Sequence, residues 1–233
     1  MKIKLIGFDL YKTLLQIETD YENDITYYSF CEYLKNDYQI EINYLDFKKR
    51  YLDEYYETTK KLKEGEEYRS FHIFKKIFPE IEETKLKEII YKFRVAARNL
   101  IRIEKDTKEI LKYLKEKYHL ILLTNAQYEY TMPEIKMFGL QNYFEKIYIS
   151  SEYGIKKPAK NFFDLVFKDF KGIKEKEAVY IGDDFIADIK GAINANWRAI
   201  WLKNDDNDKM IDEKYRKKIF KVINNLNELR YIL

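Results

Sequence analysis

The chain has 233 residues, 46% of them hydrophobic, with 43 basic and 40 acidic side chains and a formal net charge of +3. That size fits one domain, or a domain with an inserted module, and allows a sizeable buried core. The charges interleave, so no nucleic-acid or membrane-surface footprint stands out, and no apolar run approaches the roughly 20 residues needed to span a bilayer. The one cysteine, Cys31, can form no internal disulfide, which fits a reducing compartment. Met1-Lys2-Ile3-Lys4 enters a strand at once and does not read as a signal peptide, so a soluble, cytoplasmic protein is expected.

Residues 2 to 8 read as a buried aliphatic strand. It runs into Asp9 and a polar turn, Leu10-Tyr11-Lys12-Thr13, which places Asp9 at the carboxyl end of the strand. Residues 16 to 100 then read as all-helical, with almost no glycine. Tyr27, Phe30, Tyr33 and Leu34 recur at helical spacing, as do Tyr44, Phe47, Tyr51 and Tyr55, and Leu86, Ile89, Phe93, Ala97 and Leu100. A further helix, near Tyr68 to Phe78, ends at Pro79. Strand–helix alternation resumes at Asp106, which forms a capping-box pair with Glu109 at the start of a helix ending near Lys117. A strand, Leu120 to Leu123, stops at Thr124-Asn125, and a helix from about Glu129 to Phe138 stops at Gly139. A strand at Lys146 to Ile149, a helix from about Ala159 to Phe170 and a strand at Ala178 to Ile181 lead into Gly182-Asp183-Asp184. The last strand is Arg198 to Leu202, and the tail from about Lys209 to Leu226 reads as helical. This alternation predicts an α/β fold with a doubly wound parallel sheet. Residues 1–15 and 101–233 would form it, and residues 16–100 would be a helical insert over its carboxyl edge.

A parallel sheet gathers its strand ends at one edge, where ligands bind. Four separated pieces fall there: Asp9 with Thr13, Thr124 with Asn125, Lys157 with Pro158, and Asp183-Asp184 with Asp188. Each has an ordinary use. Asp184 or Thr124 could cap a helix, Lys157 could be a solvated surface lysine, and Asp188 could simply be exposed. Together they join carboxylates suited to a hard cation such as Mg²⁺ with lysine, hydroxyl and amide donors suited to phosphate oxygens.

In Phe8-Asp9-Leu10-Tyr11-Lys12-Thr13-Leu14, Leu123-Thr124-Asn125, Gly154-Ile155-Lys156-Lys157-Pro158 and Tyr180-Ile181-Gly182-Asp183-Asp184 with Asp188, the chain resembles the haloacid dehalogenase superfamily hydrolases that carry a helical cap after the first strand. The resemblance covers essentially the whole chain. It implies a Rossmann-like five-stranded sheet of order 5-4-1-2-3 and Asp9 as nucleophile, forming a covalent aspartyl intermediate. It implies that Thr13, Thr124, Asn125 and Lys157 bind the transferring group, and that Asp183 and the main-chain carbonyl of Tyr11 hold Mg²⁺ beside Asp9. Asp188 would orient Lys157 or a metal-bound water, with Asp184 alongside. The substrate implied is a small phosphorylated metabolite.

The sequence departs from the family's phosphatases at one position. They carry a second aspartate two residues after the nucleophile as general acid and base, a role worth about 10² to 10⁴ in rate. Here that residue is Tyr11, whose side chain in water has a pKa of about 10, and the glycine usual next to it is Lys12. Tyrosine there resembles the family's metal-independent 2-haloacid dehalogenases, so dehalogenation is an alternative. Asp183 and Asp184 argue against it, because those enzymes have serine and asparagine at the metal-ligand acids. A degenerate, non-catalytic ligand- or protein-binding member is a third possibility, disfavoured by the retained Asp9. Arg50, Arg69, Arg94 and Arg98 of the insert are candidates to meet an anionic substrate tail. His72, His119 and Cys31 read as structural.

Overall fold

The computed structural model of the chain describes residues 2–203 and 213–233. In order they form β1 (Leu5–Phe8), β2 (Leu15–Thr19), α1 (Asp24–Tyr38), α2 (Tyr44–Thr59), α3 (Ser70–Ile77), α4 (Glu83–Ala97), β3 (Arg98–Ile103), α5 (Thr107–Lys115), β4 (His119–Thr124), α6 (Tyr128–Met137), β5 (Lys146–Ile149), α7 (Ser150–Tyr153), α8 (Lys160–Asp164), α9 (Val166–Asp169) and β6 (Ala178–Gly182). A wide helical turn over Phe185–Lys190 leads into α10 (Gly191–Asn194), β7 (Arg198–Leu202), α11 (Glu213–Arg216), β8 (Lys221–Ile223) and α12 (Leu229–Ile232). Among the described residues no helix is long and apolar enough to cross a membrane.

The main sheet has the order β5-β4-β1-β6-β7-β8, and every pairing is parallel. Its first five strands follow the expected order. The sixth is new: of the tail expected to be helical from about Lys209 to Leu226, residues 209–212 lie outside the described residues, and Lys221–Ile223 joins the sheet edge. Alternate residues of each strand face opposite ways, and that period sorts the core. Ile6, Phe8, Leu120, Leu122, Val179, Ile181, Ile200 and Leu202 pack on one face with Ile110, Leu114 and Leu229. Leu5, Ile121, Leu123, Ala178, Tyr180, Ala199 and Trp201 pack on the other with Phe162, Phe163, Ile189 and Trp197. Gly7 belongs to that second face. A Cβ there would lie 2.9 Å from the Tyr180 ring, so glycine leaves the space that the ring fills.

β2 and β3 pair antiparallel as a two-stranded ribbon that carries the chain out of the sheet layer and back. The helix expected to reach Leu100 therefore ends at Ala97, and Leu100 lies in β3, paired with Glu18. Asn99, Ile101 and Ile103 lie on one face of β3 and Arg98, Leu100 and Arg102 on the other. Asp106 and Glu109 form no capping box. Asp106 is left-handed (φ 62°) and makes no side-chain cap, and its carboxylate accepts from Asn227 instead. That helix ends at Lys115, and the single helix expected over about 159 to 170 is broken at Leu165 into α8 and α9.

The four inserted helices surround their own aromatic cluster. Asn23, Asn43 and Glu82 cap α1, α2 and α4 by accepting main-chain N–H groups. Phe47 is fully buried and its ring lies within 4.7–6.2 Å of those of Phe30, Phe93, Phe74 and Phe78. Removing a buried ring loses its transfer energy and leaves a cavity. Phe47→Ala is expected to destabilise the protein by about 3–5 kcal/mol in urea unfolding. A loss below about 1 kcal/mol would mean that the aromatic cluster does not carry the insert's stability.

Candidate active site

Asp9 follows β1 directly, and its N–H donates to the Ile181 carbonyl of β6 (2.9 Å). Thr13 is buried, and its hydroxyl donates to Asp183 (3.2 Å) at the end of β6. Lys12 between them takes the left-handed conformation that favours glycine (φ 62°), so the tight turn forms despite the side chain. Asp184 caps the wide turn after β6 by accepting from the N–H groups of Ile186 and Ala187. The Ile189 N–H reaches back five residues to the Asp184 carbonyl (3.2 Å), which widens the turn and brings Asp188 inward. Asp188 is 1% exposed, and its Oδ2 accepts from the Asp184 N–H (2.9 Å). A Cβ on Gly182 would lie 2.2 Å from that same oxygen, so glycine is required there.

Lys157 joins these pieces. Its ammonium donates to Asp9 Oδ1 (2.7 Å), Asp188 Oδ1 (2.6 Å) and the Tyr180 hydroxyl (2.7 Å), and the side chain is 2% exposed. Tyr180 in turn donates to the Leu123 carbonyl (2.5 Å). The Lys157 main chain is clamped at both ends by the Asn125 side chain, whose Oδ1 accepts from Lys157 N–H (2.8 Å) and whose Nδ2 donates to its carbonyl (2.9 Å). The insert supports the same loop. Lys156 N–H donates to the Gly65 carbonyl (2.9 Å) and Glu67 N–H to the Gly154 carbonyl (3.0 Å). Thr124 is buried at the end of β4, with no hydrogen bond to its hydroxyl from any described residue.

Carboxylate oxygens of Asp9, Asp183 and Asp188 lie within 4.8 Å of one another. Three carboxylates thus face one ammonium, and the site has an excess of negative charge. Burial and the neighbouring Asp9 push the Asp183 carboxyl up to about 6. Burial alone would lower the Lys157 pKa, but Asp188 and Asp9 outweigh it and the net shift is upward. A compact all-oxygen set with surplus negative charge fits a hard divalent cation. Asp184 lies outside this set, and its Oδ1 serves as the cap. Asn125 uses its Oδ1 and one amide hydrogen on Lys157 and keeps its second amide hydrogen.

Tyr11 points into a second network that the sequence did not reveal. Its hydroxyl donates to Glu134 Oε2 (2.5 Å), with Thr131 at 3.1 Å. Glu134 is buried on α6, and its Oε1 accepts from Arg94 (3.1 Å) and Arg98 (3.3 Å). Burial and Glu134 hold the Tyr11 hydroxyl well above the usual phenol range. It therefore stays protonated near neutrality and can be neither a base nor a ready acid at Asp9. Arg69 is likewise paired, with the buried Glu129 (2.8 Å), while Arg50 is exposed on α2. His119 is exposed and paired with Glu145 (2.9 Å); His72 lies on α3, outside the cluster. Glu134, Tyr180 and Glu67 were missed, because each lies inside an element whose pattern shows only helix, strand or loop.

Asp183 gives the metal-free site a definite pH dependence. Its folded pKa is above the unfolded value of about 4. Its contribution to stability is therefore full below about pH 4 and is lost as pH rises through about 6. A cation would relieve that loss where the carboxylate is ionised. Excess Mg²⁺ is expected to raise the melting temperature by about 3 °C or more at about pH 7.5 and by less than half as much at about pH 5, with no rise in Asp183→Asn. A rise of equal size at both pH values, or one that persists in the variant, would count against this cluster as the cation site. Separately, Tyr11→Phe leaves Glu134 Oε2 buried without its donor, and should cost about 1–3 kcal/mol in chemical denaturation. No measurable loss would mean that Glu134 is satisfied without Tyr11.

The haloacid dehalogenase-like hydrolase family model matches residues 8–202. A 113-residue stretch is 30% identical to the 5-amino-6-(5-phospho-D-ribitylamino)uracil phosphatase YigB of Escherichia coli, covering 48% of this chain and 45% of that one. A 126-residue stretch is 30% identical to the glyceraldehyde 3-phosphate phosphatase of Pyrococcus furiosus, covering 54% and 52%. The matched stretches thus span about half the length of these curated relatives. Among solved structures, a 2-haloacid dehalogenase from Pseudomonas syringae shares the fold with a TM-score of 0.64, 22% identity and coverage of 99% of this chain and 97% of that one. The HAD-hydrolase YfnB of Bacillus subtilis, bound to magnesium, shares it with a TM-score of 0.61, 19% identity and coverage of 100% and 99%. With this sheet order, this gathering of residues at the strand ends and a family match that spans most of its length, the chain belongs to the haloacid dehalogenase-like hydrolases.

Proposed function

We propose that the protein is a Mg²⁺-dependent phosphohydrolase acting on a small phosphomonoester through an aspartyl-phosphate on Asp9, with α1–α4 as its cap. The observation that carries this is the surplus of carboxylates around Lys157. Asp9, Asp183 and Asp188 outnumber the one ammonium among them, and a phosphate dianion would be repelled from such a site without a cation. Asp9, Asp183 and the main-chain carbonyl of Tyr11 would hold the ion, which when bound would neutralise charge on the phosphoryl oxygens.

The chain's own residues do the rest. Lys157 fixes Oδ1 of Asp9, so the other oxygen, which no described residue hydrogen-bonds, is the one presented to phosphorus. That oxygen forms a bond to phosphorus as the bond to the leaving oxygen breaks. Lys157 and the Thr124 hydroxyl supply donors to the transferring oxygens. Water then attacks the aspartyl-phosphate and releases phosphate, restoring the Asp9 carboxylate. No acid stands where Tyr11 does, since its hydroxyl is committed to Glu134. Leaving groups that depart without a proton, such as aryl and acyl phosphates, are therefore favoured over alkyl ones. The curated relatives named as phosphatases support the same class.

The fold is shared with a 2-haloacid dehalogenase, and tyrosine stands at position 11, so dehalogenation is the second reading. Such an enzyme needs an arginine to hold the substrate carboxylate. Arg69 is answered by the buried Glu129, whereas Arg94 and Arg98 share the single carboxylate of Glu134, so the phosphohydrolase is preferred on the carboxylate cluster of Asp9, Asp183 and Asp188 rather than on the arginines. p-Nitrophenyl phosphate should be hydrolysed with Mg²⁺ and not with EDTA, and Asp9→Asn should lower the rate by about 10³ or more. Halide release from 2-chloropropionate that is indifferent to EDTA, without phosphate release, would establish the dehalogenase instead.

A further inference from the structure

The insert also meets the sheet domain away from the β2–β3 ribbon. Its residues 65–70, which lead into α3, lie along the loops that carry Asn125 and Lys157. Glu66 and Ile155 form an antiparallel bridge. Beside it the Lys156 N–H donates to the Gly65 carbonyl (2.9 Å) and the Glu67 N–H to the Gly154 carbonyl (3.0 Å). Gly65 takes the left-handed conformation (φ 82°), and a Cβ there would lie 2.8 Å from the Cβ of Ala159, two residues beyond Lys157. Glycine is what allows the two chains to approach so closely.

Glu67 is the side chain at the centre of this contact. Its Oε2 accepts from the Ser150 hydroxyl (2.9 Å), just after β5, and its Oε1 accepts from the Tyr68 N–H (3.1 Å). Ser150 is fully buried, and its Oγ accepts from the N–H of Ala126 (2.9 Å), the residue after Asn125. Gln127 follows, also buried. It accepts from the Ser70 N–H (2.7 Å) and donates to the Tyr68 carbonyl (3.1 Å). One short piece of the insert therefore holds both the loop that starts at Asn125 and the loop that ends at Lys157. Those loops hold each other as well, because the Asn125 amide clamps the Lys157 main chain. The hydrogen bonds of Glu67, Ser150 and Gln127 run among themselves and these loops, not to Asp9, Asp183 or Asp188. Whatever they do for the site, they do through Lys157.

We propose that Glu67 is a positioning residue: through Ser150 and the Asn125 loop it holds the Lys157 ammonium in place against Asp9, so that docking of the insert and placement of Lys157 are one event. What a displaced Lys157 does to turnover rests on the phosphohydrolase reading above; the positioning itself does not. A displacement of about 1 Å can cost about 10² in rate, so a partial loosening should be read easily in kcat. Glutamine at position 67 should keep the contact. Its amide would donate to the Ser150 Oγ, and the Ser150 hydroxyl would turn its own hydrogen to the Ala126 carbonyl, 3.1 Å away.

Glu67→Ala and Ser150→Ala each remove one side of the same hydrogen bond, and Glu67→Gln keeps it. With Mg²⁺ and p-nitrophenyl phosphate, each alanine variant should lower kcat about tenfold while KM changes less than about twofold. The double variant should lose no more than the worse single one. Glu67→Gln should stay within about threefold of the wild type. Amide exchange followed by NMR should be about tenfold faster at Lys157 in both alanine variants and unchanged in β1 and β4. A purely structural role would speed exchange throughout and leave kcat per folded molecule as it was. Unchanged exchange at Lys157 would overturn the proposal. So would a loss in the double variant equal to the product of the single losses, or a Glu67→Gln as slow as Glu67→Ala. A wild type that hydrolyses no p-nitrophenyl phosphate would overturn the phosphohydrolase reading. Exchange at Lys157 then decides alone: faster in Glu67→Ala supports the positioning, and the same rate overturns it.

Discussion

The structure depends on one buried ammonium. Lys157 is almost wholly out of water and has two carboxylates and a phenol as partners. Removing an ion from water costs several kcal/mol even after relaxation, so the geometry around it must be complete. Much of the local sequence serves that end. Gly7 makes room for the Tyr180 ring that brings a hydroxyl to the ammonium, and Gly182 lets Asp188 approach the strand end. Asn125 and the Gly65–Glu67 segment hold the Lys157 backbone from opposite sides. Two glycines, an amide and a loop of the insert thus set the geometry around Lys157.

Two adjoining networks differ in charge balance, and that difference divides their tasks. Around Lys157 carboxylates exceed cations, so the cluster favours a further cation. Around Glu134 two guanidiniums meet one carboxylate, with Tyr11 as a neutral donor. This second network ties α6, α4 and β3 together and fixes the turn after Asp9. A hydroxyl used in that way contributes to position and is lost to proton transfer.

The strands were legible because each carries an uninterrupted apolar run that stops at a polar residue. Asp9, Thr13, Thr124, Lys157, Asp183 and Asp188 were legible as a group because parallel topology brings such stops to one edge. The order of the first five strands was implied by the family resemblance and not by the pattern, and β8 was missed because its three residues are too few to show a period. The β2–β3 ribbon was hidden in the same way, since Leu100 suits both a helical spacing of three and a strand alternation of two. Asp106 and Glu109 have the right spacing for a capping box. The left-handed backbone at Asp106, set by its tie to Asn227, excludes it.

What the sequence could not show was which charges were already answered. Arg69, Arg94 and Arg98 look alike as letters, and each was open to an anionic substrate tail. Their partners, Glu129 and Glu134, lie on α6, 60, 40 and 36 residues away, at positions that read as an ordinary helix. Arg94 and Arg98 share the single carboxylate of Glu134, so the charge they leave over depends on a residue of α6 that no pattern in the insert could show.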